Sequence, residues 1–178
     1  MSRKTIVLGV SGGIAAYKAA DLCSKLAQAG YDVHVVMTEH AAKLVTPLAF
    51  MTLSRNQVST DNFSMRDWRP EHIALADAAD LAVVAPATYN IIGKLANGIA
   101  DDLLSTFLAA YRKPLFVAPA MNPAMYASAA LVENLVKLRE RGVHIIGPKT
   151  GHVACGSDGP GRMVEPEEIF KAITEFEG

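Results

Sequence analysis

Short apolar runs alternate with longer amphipathic stretches along most of this chain. The apolar runs predict buried strands of a parallel sheet, and they are Thr5–Val10, Asp32–Thr38, Leu81–Ala87, Leu115–Ala120 and Val143–Gly147. The amphipathic stretches predict helices that follow most of the strands, and they are Ile14–Ala29, Asp102–Tyr111, Pro123–Arg141 and Pro166–Phe176. Alternation of this kind predicts an open α/β sheet with helices on both faces.

Glycine, proline and aspartate support the predicted helix boundaries. Glycines suit the position just past a helix end and prolines suit a first turn; here these residues are Gly30, Gly142, Pro123 and Pro166. We expect Asp101 to cap the helix that follows it, with Asp102 in the first turn. A short helix is expected from His72 to Asp80.

Two segments lack apolar periodicity. Pro47–Glu71 carries Trp68 and is expected to be a mobile flap or a subunit contact. The segment from His152 to Met163 is rich in glycine and proline, so it predicts a loop that is neither helix nor strand. Long loops in compact chains are often functional. A surface connection that carries an inert cysteine is the alternative.

Composition narrows the class of protein. The chain has 178 residues, of which 51% are apolar and 20% charged, which predicts one domain with a large core. A net charge of −1 gives no electrostatic reason to expect nucleic acid or an anionic membrane as partner. The two cysteines fit neither a disulfide framework nor a metal site. No run suits a signal peptide or a membrane span, so we expect a cytoplasmic protein.

Polar and glycine-rich motifs follow four of the predicted strands. In open parallel sheets, ligands bind at the carboxyl ends of the strands, and here those ends carry Ser11–Gly13, Thr38–His40, Pro86–Asn90 and Pro119–Asn122. Glycines before a helix allow close approach to an anion, although a tight turn explains them equally well. Short polar groups after Ala85 suit the edge of a flat heterocycle. These motifs are therefore expected to converge on one ligand.

Three further residues are candidates for chemistry. Asn122 lies between a predicted strand and a helix, where its amide could hold a carboxylate. His72 lies at a helix start, where the helix dipole favours the neutral imidazole that a base requires. Cys155 lies among glycines near Arg162, where a thiol can be reactive. Each residue has an ordinary structural alternative, and no spacing suggests a metal site.

Six motifs in order resemble the flavin-dependent cysteine decarboxylase family, over nearly the whole chain. They are SGGIAAYK (11–18), H-x-x-L-x-x-x-A-D (72–80), APATYN (85–90), NGIADDLLST (97–106), PAMNPAMY (119–126) and ACGSDGPGRM (154–163). The resemblance implies a single FMN-binding domain over residues 1–178, with a three-layer Rossmann-like or flavodoxin-like fold. It also implies a homotrimer or homododecamer.

The resemblance assigns roles residue by residue. The positions matched to flavin contacts are Gly12, Gly13, Ile14, Thr38, His40, Pro86, Thr88, Tyr89, Asn90, Ile91, Ser105 and Ala120. His72 matches the active-site base, Asn122 the residue that holds the substrate carboxylate, and Cys155 a proton donor. The positions matched to substrate contacts are Asn122, Met125, His152, Val153 and Ala154.

The implied reaction is FMN-dependent decarboxylation of 4′-phosphopantothenoylcysteine to 4′-phosphopantetheine in coenzyme A biosynthesis. It would proceed through a thioaldehyde, loss of carbon dioxide and reduction of the resulting enethiolate. A separate phosphopantothenate–cysteine ligase would supply the substrate, and the chain would be a stand-alone enzyme or a domain of a larger protein. The sequence does not identify the residues that recognise the substrate phosphate. The candidates are Arg66, Arg69 and Lys94.

Three alternatives remain within related folds. A peptidyl-cysteine decarboxylase of the lantibiotic type stops at the enethiol and lacks an equivalent of Cys155. A non-catalytic FMN-binding regulatory protein would keep the fold, often with an acidic tail. A flavin prenyltransferase would need neither Asn122 nor Cys155.

Overall fold

The computed structural model describes residues 3–63, 65–66, 68–152, 156 and 158–177, except for the side chains of Arg66 and Glu177. Its strands are β1 (Thr5–Val10), β2 (Asp32–Met37), β3 (Met65–Arg66), β4 (Arg69–Pro70), β5 (Leu81–Ala87), β6 (Leu115–Pro119), β7 (His144–Ile145), β8 (Lys149–His152) and β9 (Asp158–Arg162). Its helices are α1 (Ala16–Gln28), α2 (Glu39–Ala42), α3 (Pro47–Ser54), α4 (Glu71–Ala78), α5 (Tyr89–Asn97), α6 (Leu103–Ala110), α7 (Pro123–Tyr126), α8 (Ala129–Glu140) and α9 (Pro166–Glu177).

The central sheet is parallel and has the strand order β2-β1-β5-β6-β7. When only the five strands of this sheet are numbered along the chain, the order is 2-1-3-4-5, which is the flavodoxin-like order. In this order the direction of strand addition reverses between the first and the third strand. β1 and β5 are those two strands, and they pair from Ile6–Leu81 to Gly9–Val84. The predicted three-layer α/β fold is confirmed, and its reversal point predicts where a ligand binds.

The sheet separates two apolar cores, as the near-continuous apolar strands predict. Alternate residues of β1 point to opposite faces, so Ile6 and Leu8 pack in a core with α1, α3 and α9. Val7 packs in the other core with α4, α5, α6 and α8. Helices therefore cover both faces, and the loops at the strand ends are left to form a site.

Local capping alters two of the predicted helix boundaries. Ser128 is in an extended conformation and its side chain accepts a hydrogen bond from the Leu131 backbone, so the predicted single helix Pro123–Arg141 is two helices, α7 and α8. Asp102, not Asp101, caps α6, and it forms a capping box with Ser105. The prediction that Asp101 is the cap is therefore wrong by one residue.

The two segments without periodicity contain regular structure. Pro47–Glu71 includes α3 and the short hairpin of β3 and β4. In the described part of 152–163, β9 pairs with β8 as an antiparallel hairpin, which corrects the prediction of a loop throughout. Positive φ angles at Gly159 and Gly161 allow this irregular pairing, and only glycine adopts them readily. Among the described residues, no helix is both long and apolar enough to cross a membrane.

Candidate active site

A cavity of about 930 Å³ opens at the carboxyl ends of the central strands, where the strand order reverses. Its walls come from the loops after β1, β2, β5 and β6 and from the β8–β9 hairpin. Ligand cavities in proteins span roughly 300–1,000 Å³, so this one lies at the upper end of the range. The predicted site residues that it brings together are Gly12, Gly13, Ile14, Thr38, His40, Thr88, Tyr89, Asn90, Ile91, Ala120, Asn122, Met125 and His152.

Ser11 ties together the two loops at the reversal point. Its hydroxyl donates to the carbonyl of Pro86 at 2.7 Å and accepts from the backbone N–H of Thr88 at 3.0 Å. Ser11 is buried, so these bonds are protected from water. Pro86 contributes to the site through this contact, and it does not line the cavity itself.

Three side chains that line the cavity also cap short helices. Thr38 accepts from Ala41 N at 3.2 Å, Thr88 from Ile91 N at 3.5 Å, and Asn122 from Ala124 N at 2.7 Å. A capping side chain is held in one orientation because it satisfies an otherwise unpaired backbone N–H. The sequence motifs at these strand ends are therefore both capping residues and cavity walls.

Close backbone approach explains the glycines of the first loop. A methyl group on Gly12 would overlap the Cβ of His40 and lie 3.1 Å from the His40 carbonyl carbon. A methyl group on Gly13 would lie 3.1 Å from the Thr88 side chain. The loops after β1, β2 and β5 therefore meet at a distance that only glycine allows.

We expect Gly12→Ala to destabilise the protein by about 1–3 kcal/mol, the usual cost of overpacking. Gly93→Ala is the matched control, because a Cβ at this site in α5 would meet nothing closer than 3.9 Å. The control should be neutral or stabilise by about 0.5–1 kcal/mol. Thermal unfolding of both proteins measures the difference. Equal stability of Gly12→Ala and the native protein would contradict the proposed crowding.

An acidic pair holds Lys94 at the cavity wall. Its ammonium group lies 2.6 Å from carboxylate oxygens of both Asp101 and Asp102. Burial opposes the positive charge of Lys94, but hydrogen bonds to the two carboxylates outweigh it and raise its pKa. Ser105 donates to the Asp102 carboxylate and does not line the cavity, so its place in the site is indirect.

The β8–β9 hairpin closes one side of the cavity beside Asn122. The carbonyl of Gly161 accepts from Met121 N at 2.9 Å, and a side chain at Gly161 would collide with the Met121 carbonyl. His152 lines the cavity from β8, with its Nδ1 atom 3.4 Å from the Asp158 carboxylate. Val153, Ala154 and Cys155 lie outside the described residues.

His72 lies in the first turn of α4 and does not line the cavity of its own chain. Its Nδ1 atom is buried, with no hydrogen-bond partner among the described residues. The neighbouring Glu71 is buried and accepts a hydrogen bond from Ser59 Oγ, which anchors the start of this helix. The structure therefore anchors the start of the helix that carries His72 but does not bring His72 to the other site residues of its own chain.

Sequence reasoning missed a charged cluster at the cavity wall. Lys18 donates to both carboxylate oxygens of Glu165 at 2.9 Å, and Arg162 donates to the same carboxylate at 2.8 Å. Lys18 and Arg162 both line the cavity. The hydrogen bond from Lys18 lowers the pKa of Glu165, so the carboxylate stays charged near neutral pH. Lys18 lies one turn beyond the glycine motif, and this spacing is the feature of the sequence that could have indicated a cation at the cavity wall.

The strand order and the cavity at its reversal point define a flavodoxin-like domain with a site for a planar ligand. Apolar walls from Ile14, Ile91, Ala120 and Met125 suit the faces of a ring, and the polar loop ends suit its edges. Among the described residues, no group of three His, Cys, Asp or Glu side chains could hold a metal ion.

A family model described as Flavoprotein matches residues 1–178, so this chain belongs to that family. The coenzyme A biosynthesis bifunctional protein CoaBC of Bacillus subtilis (strain 168) is 51% identical over 174 residues, which cover 96% of this chain. The chain spans 42% of the length of that relative.

Solved structures match the fold over nearly the whole chain. A PPC decarboxylase mutant complexed with pantothenoylaminoethenethiol has a TM-score of 0.87 at 30% identity and covers 98% of both chains. The FMN binding protein AtHal3 has a TM-score of 0.84 at 32% identity, covering 98% of this chain and 97% of its own. These similarities confirm the flavin-dependent cysteine decarboxylase resemblance.

Proposed function

We propose that this chain is an FMN-dependent carboxy-lyase that converts 4′-phosphopantothenoylcysteine to 4′-phosphopantetheine in coenzyme A biosynthesis. The observation that carries the proposal is the cavity at the reversal point, which combines a glycine cradle, apolar walls and Asn122. The similarity to a PPC decarboxylase over 98% of both chains supports the same reaction.

The residues present fit an FMN group. Gly12 and Gly13 pack directly against the loops that carry His40 and Thr88, where an added Cβ would collide or crowd, so the first loop presents backbone rather than side chains to the cavity. Thr38 and His40 would hold the phosphate end, and residues 88–91 with Ala120 would line the ring. When bound there, FMN supplies reversible hydride transfer, so the reaction needs no external oxidant or reductant.

Asn122 would hold the substrate carboxylate. Its Oδ1 atom caps α7, so the amide nitrogen is the part of the side chain that can donate to an anion. An amide binds a carboxylate without neutralising it, so the carboxylate keeps the charge it needs to leave as carbon dioxide. Met125 and His152 would enclose the same substrate.

His72 would take the thiol proton of the substrate, in the cavity of a neighbouring copy. It is absent from the cavity of its own chain, and the segment that precedes α4 exposes large apolar side chains. Phe63 is 88% exposed and Trp68 is 77% exposed, which is typical of a surface that another protein covers. A homotrimer or homododecamer would bury these side chains and complete each site.

Cys155 would donate the proton that accompanies reduction of the enethiolate. The hairpin arms that flank it are placed beside Asn122 by the hydrogen bond between Gly161 and Met121. This role separates the proposal from a peptidyl-cysteine decarboxylase, which releases an enethiol.

The central test is direct assay of the purified protein. It should carry an FMN absorbance spectrum, release carbon dioxide from 4′-phosphopantothenoylcysteine and yield 4′-phosphopantetheine by mass spectrometry. A protein that binds FMN and leaves this substrate unchanged would instead support a regulatory flavoprotein. A protein that binds no flavin after reconstitution would contradict the proposal.

The proposed reaction also indicates which enzyme supplies the substrate and where in the cell the protein acts. The matched relative is a bifunctional coenzyme A biosynthesis protein, so the proposed partner is a phosphopantothenate–cysteine ligase, either fused or separate. Residues 1–178 would act as one FMN-binding domain. A cytoplasmic location fits an enzyme of coenzyme A biosynthesis.

A further inference from the structure

We propose that Arg162, supported by Lys18, binds the phosphate group of the phosphorylated substrate, and that Glu165 is the counter-ion both cations share. The inference rests on the proposed decarboxylase function and adds the residues that select a phosphorylated substrate. It replaces the candidates that the sequence offered for this role.

The charges at the cavity wall favour this position. Three described cations line the cavity, namely Lys18, Lys94 and Arg162. Two carboxylates hold Lys94, so that cluster is negative overall. Lys18 and Arg162 share the single carboxylate of Glu165, so their cluster carries one excess positive charge. A phosphate monoester carries a charge of roughly −1.5 to −2 at neutral pH and is attracted to that excess.

The candidates from sequence fit less well. Arg69 lies 4.9 Å above the Trp68 ring and pairs with Asp77 at 3.1 Å, so its charge is already balanced by a carboxylate, and it does not line the cavity of its own chain. Lys94 lines the cavity but is held by the acidic pair. The side chain of Arg66 is outside the described residues.

Arg162 has the geometry for a phosphate. Guanidinium presents five N–H donors in a planar fork, which suits two oxygens of one phosphate. The contact with Glu165 uses the Nη2 atom. The Arg162 side chain is 47% exposed, whereas that of Lys18 is only 10% exposed, so Arg162 is the group a ligand meets first. The Arg162 side chain passes beside Gly151 of β8, where a Cβ would lie 3.7 Å from its Cδ atom, and this glycine has no side chain to cover it.

The position of Arg162 also indicates which phosphate it binds. It follows Gly161 directly, and Gly161 bonds to Met121, the residue before Asn122. Arg162 is therefore attached to the wall that would hold the substrate. The phosphate of FMN is the other phosphate that Arg162 could bind. The experiment below distinguishes the substrate phosphate from the FMN phosphate.

Arg162→Gln is the principal variant, assayed on 4′-phosphopantothenoylcysteine and on pantothenoylcysteine, which lacks the phosphate. Loss of a charge-assisted hydrogen bond should lower kcat/KM for the phosphorylated substrate about ten- to a hundredfold. The value for the unphosphorylated substrate should change less than about threefold, because there the substitution removes only the exposed ion pair with Glu165, and such pairs contribute little. The dissociation constant of FMN should stay unchanged.

Lys149→Gln is the matched control. Lys149 lies on β8 opposite Arg162 and pairs with Glu168 at 2.7 Å, but it does not line the cavity. The control should keep the native preference for the phosphorylated substrate. Arg162→Lys should restore part of that preference because it restores the charge.

Glu165→Gln distinguishes ligand binding from a structural role. Removing the shared carboxylate frees both cations, so inhibition by 4′-phosphopantothenate should become stronger, while inhibition by pantothenate should not. A merely structural cluster would instead lower the activity of Arg162→Gln and Glu165→Gln alike on both substrates, and that result would overturn the inference.

The remaining outcomes are equally decisive. Weaker FMN binding by Arg162→Gln with equal losses on both substrates would assign the cluster to the cofactor phosphate and overturn the inference. A native enzyme that decarboxylates both substrates equally well would overturn it and leave the proposed function intact. A native enzyme that decarboxylates neither would instead refute the proposed function.

Discussion

His72→Asn should lower kcat about 10²–10⁴-fold, the range that a positioned acid–base group contributes. Asparagine keeps a polar side chain of similar reach but cannot take up the thiol proton at neutral pH. Flavin content should be unchanged, because the residues proposed to hold FMN lie on the loops after β1, β2, β5 and β6, and His72 is not one of them. Stopped assays of carbon dioxide release, with the FMN absorbance of the same samples, measure both quantities.

His144→Asn is the matched control for this substitution. His144 stacks on Phe116 with ring centroids 4.7 Å apart and lies outside the cavity, so turnover should remain native. Loss of flavin from His72→Asn would instead show a structural role for His72. Native turnover by that variant would remove it from the mechanism.

Mixed oligomers test whether the base comes from another copy. His72→Asn removes the proposed base, and Asn122→Ala removes the residue that would hold the substrate carboxylate in the cavity of its own chain. If His72 serves the cavity of a neighbour, subunit exchange between the two inactive proteins should restore some sites that carry both native residues. Recovery of activity on mixing measures this, and a mixture that stays inactive despite proven exchange would contradict a shared site.

Cys155→Ser should change the product, with the enethiol accumulating in place of 4′-phosphopantetheine. A serine hydroxyl is a far weaker acid than a thiol, so it cannot supply the proton that accompanies reduction of the enethiolate. The accumulated compound is lighter than the normal product by two hydrogen atoms, which mass spectrometry resolves directly. Carbon dioxide should still be released in a first turnover, because decarboxylation precedes this proton transfer.

Cys23→Ala is the control for removal of a cysteine. Cys23 is fully buried in α1, and burial raises the pKa of its thiol to about 12, so it is inert near neutral pH. The control should make normal product, with at most a loss of stability from the cavity that it creates. Normal product at a normal rate from Cys155→Ser would show that another group donates the proton.

The architecture was predictable because its signals are local in the sequence. Buried runs such as Leu81–Ala87 are near-continuous in apolar residues, and this strand has the predicted bounds. Gly30 and Gly142 have the positive φ angles expected just past a helix end. Capping was less predictable, since Asp101 and Asp102 are chemically identical and only the three-dimensional path of the chain selects Asp102.

The convergence of the site was predictable, but part of its chemistry was not. Parallel strands bring their carboxyl ends together, so the four motifs that follow β1, β2, β5 and β6 had to meet. The Lys18–Glu165 pair joins residues far apart in the chain, and no periodic pattern reports such a contact. The hairpin was missed because glycines that usually indicate loops here allow irregular strand pairing.

The capping bonds of Thr38, Thr88 and Asn122 have a consequence for affinity. Immobilising a side chain on binding costs about 0.5–1.5 kcal/mol in conformational entropy. These three side chains already hold their orientations through backbone N–H groups of the same chain. That ordering takes place during folding, so a ligand meets a preorganised wall and loses little of its binding free energy to arranging it.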